Sequence, residues 1–206
     1  PKKWFQKLGL LREHKIRVLE TPQHMIDRLL RINPDILYGY PSMLNALAHE
    51  LSVRGITFKP KLIFSDSELL LEPVRKFIMT SFGSDVIDIY GTYETENIAY
   101  ECSHHTGHHM VIDHVVIEFV KEGRPVKTGD EGEVVCTVLH NFSMPFIRYN
   151  LHDIAASSDQ KCPCGRTFPL MHMINGRHAD YITLANGEKR PFTGVIMIFS
   201  AEAGKI

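Results

Sequence analysis

Apolar positions in the first hundred residues fall alternately on helical and strand-like periods. Between Leu19 and Arg31, Met25, Ile26, Leu29 and Leu30 recur at three- and four-residue intervals, which predicts an amphipathic helix. Asp35 to Tyr40 is a short apolar run between Pro34 and Pro41, and predicts a buried strand. Ser42 stands where a helix N-cap belongs, ahead of Met43–Leu51, and Gly55 supplies the stop. Leu62-Ile63-Phe64 predicts the next strand. A helix over Leu71–Phe82 follows, opening at Glu72-Pro73 and closing at Gly83, and Val86–Tyr90 predicts a third strand. Strand, helix, strand, helix, strand implies right-handed crossovers and a parallel sheet.

From His109 the pattern changes. Alternation over His109–Val120 predicts a strand, Gly123-Arg124-Pro125 a turn, and Gly132–Leu139 and Pro145–Asp153 further strands without a helix between them. Such a run reads as a small antiparallel barrel or sheet. Residues 172–192 predict one more hairpin, turning at Asn186-Gly187. The expected fold class is therefore α/β. A parallel βαβ subdomain is expected over 1–100, an antiparallel β subdomain over 101–175, and a hinge with the start of a truncated further domain over 176–206.

Composition narrows the functional classes. Of the 206 residues, 44% are hydrophobic and 23% charged, as expected of a globular chain with one good core. The formal net charge of −1 lacks the basic excess of a nucleic-acid binder, so that class is set aside. Apolar runs such as Val115-Val116-Ile117 are strand-sized, which argues against a membrane partner. No charged leader opens the chain, and the expected compartment is cytoplasmic. With Pro1 first and Ala201–Ile206 last, the chain reads as a piece of something longer.

Three short polar blocks carry candidate chemistry. In Asp88-Ile89-Tyr90-Gly91-Thr92-Tyr93-Glu94, a strand end meets a glycine that lets backbone approach a ligand. Tyr90 there suits stacking on a purine, and Glu94 suits magnesium against phosphate oxygens. In Arg148-Tyr149-Asn150-Leu151-His152-Asp153, the acid leaves a strand where it could accept from two ribose hydroxyls. In Gly176-Arg177-His178-Ala179-Asp180, Arg177 offers a donor fork for phosphate next to a joint that could swing. Each block alone is also an ordinary turn or cap.

Cysteine placement predicts a metal. Cys102 sits in the histidine-rich stretch 102–109, and Cys162-Pro163-Cys164-Gly165 offers two thiolates on a knuckle. Cys102, His105, Cys162 and Cys164 would close a tetrahedral zinc site of structural type, with His109 as the alternative imidazole. Cys136, in an apolar strand pattern, is expected to be a core residue.

The order of the three blocks resembles the adenylate-forming superfamily. Leu37-Tyr38-Gly39-Tyr40-Pro41-Ser42, Ser65-Asp66-Ser67-Glu68 and Cys162-Pro163-Cys164-Gly165-Arg166 resemble its phenylacetate–CoA ligase branch. The resemblance covers roughly residues 30–192. It implies an AMP-forming acid–thiol ligase: a carboxylate attacks the α-phosphate of ATP, and a thiol, usually coenzyme A, then takes the acyl group. It further implies Glu94 and Thr92 as catalytic residues, Glu94 holding Mg2+. Tyr90, Gly91, Thr92, Glu94, Asp153 and Arg177 are implied to bind ATP or AMP. The partner implied is a small-molecule carboxylic acid, with a homodimer among the assemblies open to the chain.

The sequence also departs from that pattern. Tyr93 stands where a small hydroxyl residue is usual, Asn150 where an arginine is, His152 where a glycine is, and Ala179 where the hinge aspartate is. Neither the family's phosphate loop nor its C-terminal lysine is present in these residues. The isolated chain is therefore expected to be inactive in pyrophosphate exchange, and a catalytically degenerate, zinc-stabilised binding module is the alternative reading.

Overall fold

The computed structural model describes residues 12–17, 19–177, 181–183 and 189–191. Its first part alternates α1 (Pro22–Ile32), β1 (Ile36–Gly39), α2 (Pro41–Arg54), β2 (Leu62–Asp66), α3 (Glu72–Phe82) and β3 (Val86–Thr92). The three strands pair in parallel, as the alternating pattern predicts. Helix α1 starts at Thr21, whose side chain accepts from the His24 N–H, and stops at Asn33 in the left-handed region. Helices α2 and α3 each carry proline in the first turn and end at left-handed Gly55 and Gly83.

Ser42 is not the N-cap of α2. That position belongs to Tyr40, which makes no side-chain cap. The Ser42 N–H and hydroxyl instead donate to the two carboxylate oxygens of Glu68, at 2.9 and 2.8 Å. The helix start is thus satisfied from another loop, by an acid suited to its dipole.

Seven further strands extend the same sheet. They are β4 (Glu96–Tyr100), β5 (His108–Met110), β6 (Val115–Lys121), β7 (Arg124–Pro125), β8 (Gly132–Val138), β9 (Tyr149–Ser158) and β10 (Leu170–Arg177). The spatial order is β1-β2-β3-β4-β5-β10-β9-β8-β6-β7, antiparallel from β4 onward. A separate pair, β11 (Tyr181–Thr183) with β12 (Lys189–Pro191), falls where the last hairpin is expected; its turn at Asn186-Gly187 lies outside the described residues. The single strand expected over 109–120 is two. The Val111 carbonyl accepts from the His114 and Val115 N–H groups at 3.0 and 3.2 Å, and the resulting turn separates β5 from β6.

Two large apolar clusters share this sheet. One joins α1, α2 and α3 to one face of β1–β3 through Ile26, Leu51, Ile63, Ile78 and Val86. Each such fully buried aliphatic contributes roughly 1.5–3 kcal/mol. The other, around Ile98, Val115, Val134, Leu151 and Met171, lies in the antiparallel part. Hydrogen-bonded strands continue unbroken past residue 100, so the two cores lie along a single sheet.

Candidate functional site

The carboxyl ends of parallel strands are where ligands of such sheets bind. Here β1 ends at Gly39, β2 at Asp66 and β3 at Thr92. A cavity of about 1090 Å³ opens over them, and its lining includes Tyr38, Tyr40, Met43, Asp66, Gly91, Thr92 and Glu94. Gly91 sits at a bulge in the β3–β4 pairing. A Cβ there would overlap the Glu96 carbonyl and approach the Asn97 Cα to 2.8 Å, so the close approach of the two strands requires glycine. The Thr92 hydroxyl accepts from the Thr95 N–H at 3.3 Å and lies 3.0 Å from the Thr95 hydroxyl, shaping the turn that presents Glu94.

The first two sequence blocks meet in space. The Tyr90 hydroxyl donates to Asp153 Oδ2 at 2.8 Å across 63 residues of chain. The Tyr149 hydroxyl, from the second block, donates to Glu94 Oε1 at 3.3 Å. Strands β4, β5 and β10 stand between β3 and β9 in the sheet order, so the sheet must curl for Tyr90 to reach Asp153. Three-residue β5 leaves room for that curl. On β10, Arg177 is the backbone register partner of Asp153, which sets the start of the third block next to the second. Ala179 and Asp180 lie outside the described residues. Asp153 is 7% exposed.

The cysteine cluster forms, with His109 rather than His105 beside the three thiols. Atoms of Cys102, His109, Cys162 and Cys164 lie within 4.8 Å of one another. Cys102 Sγ and Cys162 Sγ are 3.4 Å apart, and Cys164 Sγ is 3.4 Å from His109 Nε2. Tetrahedral zinc with bonds of about 2.3 Å sets sulfurs roughly 3.8 Å apart, so the donor set fits such an ion. The other ring nitrogen of His109, Nδ1, is 3.3 Å from the Phe168 carbonyl, a partner that fixes Nε2 toward the thiols. Donors surround the sulfurs. Thr106 Oγ1 donates to Cys162 Sγ at 3.2 Å, and with the Cys164 backbone it brings that thiol down to about 7 despite desolvation. The Arg166 backbone N–H lowers Cys164 in the same way, whereas burial raises Cys102.

His105 is not part of that cluster. Its Nε2 lies 2.9 Å from Asp85 Oδ1 and its Nδ1 3.3 Å from Glu101 Oε2. Cys-x-x-His spacing suits a ligand pair, but left-handed His105, at φ 50°, carries its ring toward a buried ion network instead. Arg75 centres that network, with bonds of 2.8 Å to both Glu101 oxygens and 2.7 Å to the Val86 carbonyl. Burial pushes the Glu101 carboxyl up, but the Arg75 guanidinium outweighs it and holds the acid below its usual range. Sequence reasoning missed Arg75, Glu101 and Asp85. The sole local signal was one basic residue on the inner face of α3, since its partner lies 26 positions away. Cys136 is fully buried, and burial pushes its thiol up to about 12, as befits a core residue.

No family model matches the chain. Curated relatives do. It is 30% identical over 159 residues to a phenylacetate–coenzyme A ligase of Thermus thermophilus, and 28% identical over 170 residues to one of Aromatoleum evansii. These alignments take in 73% and 79% of this chain but 36% and 38% of the relatives. The chain therefore spans little more than a third of their length. Among solved structures, an open conformation of 2-hydroxyisobutyryl-CoA ligase with 2-HIB-AMP and CoA superimposes with a TM-score of 0.73 at 25% identity, over 85% of this chain and 43% of that one. An anthranilate-CoA ligase with anthranoyl-AMP shares the fold, with a TM-score of 0.64 at 17% identity, over 82% of this chain and 34% of that one. By fold and sequence this chain is a relative of the adenylate-forming ligases, matching part of their length. Its curated relatives in that superfamily are phenylacetate–CoA ligases.

Proposed function

We propose that the chain is part of an ATP-dependent acid–thiol ligase, activating a carboxylic acid as acyl-AMP and passing the acyl group to a thiol such as coenzyme A. The observation that carries this reading is the 2.8 Å bond from Tyr90 to Asp153. It draws together two motifs that would otherwise be unrelated turns. In this reading the Tyr90 ring packs against adenine, Gly91 and Thr92 bring backbone and hydroxyl close to phosphate, and Asp153 takes ribose hydroxyls. Arg177 adds positive charge near the hinge. Glu94, steadied by Tyr149, holds Mg2+, which when bound offsets the repulsion between the carboxylate and the α-phosphate. The acid enters through the cavity over the strand ends.

Zn2+ in the Cys102, His109, Cys162 and Cys164 set has a structural role in this proposal. Four protein donors leave no open position for a reacting water. No described helix is long and apolar enough to cross a membrane, and the proposed setting is the reducing cytoplasm, where thiols stay available to metal.

Calorimetric titration of the chain with AMP and with ATP, each with and without Mg2+, tests the nucleotide site. Saturable, magnesium-dependent ATP binding that Glu94→Gln weakens is the expected result. Its absence favours the alternative, a zinc-stabilised binding module. One observation does favour that alternative: Asn150 donates to Glu133 at 3.0 Å and accepts from the His152 N–H at 2.8 Å. Its side chain thereby serves the strand at a position where the resemblance would place a functional arginine.

A further inference from the structure

We infer that the thiol cluster is a site of oxidative modification: hydrogen peroxide, entering at Cys164, joins Cys102 to Cys162 as a disulfide and releases the metal. This rests on the zinc reading above. Zinc has no redox chemistry of its own, so the electrons come from the thiolates that hold it.

Exposure differs within the cluster. Cys102 and Cys162 are buried, at 4% and 7%, and His109 is fully buried. Cys164 alone among the four is half-buried. It sits in a tight turn closed by the Gly165 N–H, which donates to the Cys162 carbonyl at 3.2 Å. A small, uncharged oxidant therefore meets the Cys164 sulfur first. The Arg166 N–H donates to that sulfur at 3.5 Å and steadies it as a thiolate, the form that attacks peroxide.

The buried pair is placed to finish the reaction. Cys102 Sγ and Cys162 Sγ are 3.4 Å apart, inside the roughly 3.8 Å that a zinc tetrahedron sets between sulfurs. A disulfide needs about 2.05 Å, so the two sulfurs close by about 1.4 Å. These residues stand 60 positions apart in the chain. Their bond would keep the 102–109 loop tied to the 162–165 turn after the metal has gone. A bond from Cys162 to Cys164 would tie that turn only to itself, so it constrains the chain far less.

The steps balance. The Cys164 thiolate attacks one peroxide oxygen, the O–O bond breaks, and a sulfenic acid and hydroxide result. The Cys102 thiolate, within 4.8 Å, attacks that sulfur; the S–O bond breaks and a second hydroxide leaves. The Cys162 thiolate then attacks Cys102 across the 3.4 Å gap, and the Cys164 thiolate departs. Two thiolates have given up two electrons, and peroxide has taken them up as two hydroxides. Zinc keeps only Cys164 and His109 as ligands and passes to water.

The zinc-loaded chain is treated with hydrogen peroxide beside a colorimetric zinc chelator, and its peptides are mapped by mass spectrometry. A sample without peroxide sets the rate at which chelator alone removes metal. Peroxide should release about one zinc per chain well above that rate, with Cys102 joined to Cys162. Cys136 is the internal control. It is fully buried in the antiparallel core, outside the four-residue set, and should stay a free thiol. A dithiol reductant with added zinc should restore the starting state. Cys164→Ser, given excess zinc and shown by melting curve to be folded, should form the same disulfide several-fold more slowly. The inference is overturned by zinc release no faster than in the control, by a disulfide joining any other pair, or by oxidation of Cys136 in step with the cluster. It also fails if Cys164→Ser reacts as fast as the unaltered chain. A chain that holds no zinc before peroxide is added overturns the metal reading, and the release with it.

Discussion

Tyr90 and Asp153 show how much a single hydroxyl can organise. The bond between them is made inside the curl of the sheet, to an ionisable acceptor, and such bonds contribute roughly 1.5–3 kcal/mol. Tyr90→Phe keeps the ring but leaves one Asp153 oxygen without that donor. We expect a lower melting temperature and nucleotide affinity reduced about tenfold, read by thermal scan and titration. Arg75 carries a larger stake. With Arg75→Ala the Glu101 carboxylate stays buried without its guanidinium, and losses of about 3–5 kcal/mol attend broken pairs of that kind. Urea denaturation should show the midpoint collapse, far beyond the effect of losing the exposed Lys61–Asp35 pair. The two histidines give the sharpest contrast. Metal analysis after His109→Ala should find zinc lost, and after His105→Ala zinc retained. Zinc lost only from the His105 variant would reverse the ligand assignment.

At the scale of elements, the helices and parallel strands were legible because local chemistry and tertiary need agree there. Proline in the first turn, glycine after the last, and a three-to-four period mark α2 and α3 from sequence to within two or three residues. The antiparallel half was less legible. Strand β4 was missed because Glu96-Asn97-Ile98-Ala99-Tyr100 lacks alternation; Ile98 and Ala99 are both buried, one on each face of the sheet. The break between β5 and β6 was invisible because apolar Val111 and Ile112 continue the pattern through the turn. Cap partners such as Glu68 for α2 lie 26 residues away, and no local motif announces them. The Gly91 bulge belongs to this scale too. Gly91→Ala must push β3 from β4 against backbone, so the turn bearing Glu94 should loosen. Reduced thermal stability together with weakened magnesium-dependent binding is the expected pair of results.

For the whole molecule, sequence order pointed to the candidate blocks but not to their depth. The three polar blocks were readable as a set, and the structure brings Tyr90, Asp153 and the Arg177 backbone together. That Asp153 lies buried, and that an ion network backs the thiol loop, depends on sheet curvature, which no short window encodes. Removing metal tests the fold at this scale. A zinc chelator should lower the melting temperature by several degrees, and Cys162→Ser should leave little further effect of chelation.

Strand β10 has one consequence for that experiment. Leu170, at its start, packs in the small cluster with Cys102 and Cys162, while its last residue, Arg177, stands opposite Asp153. The eight residues of β10, with register shifts between Met173 and Asn175 and between Asn175 and Arg177, thus join the thiol cluster to the backbone opposite Asp153. A strand freed at its sulfur end is expected to loosen at the other. If zinc at the thiols tightens nucleotide binding near Asp153, thermodynamic reciprocity requires that the nucleotide tighten the grip on zinc by the same factor.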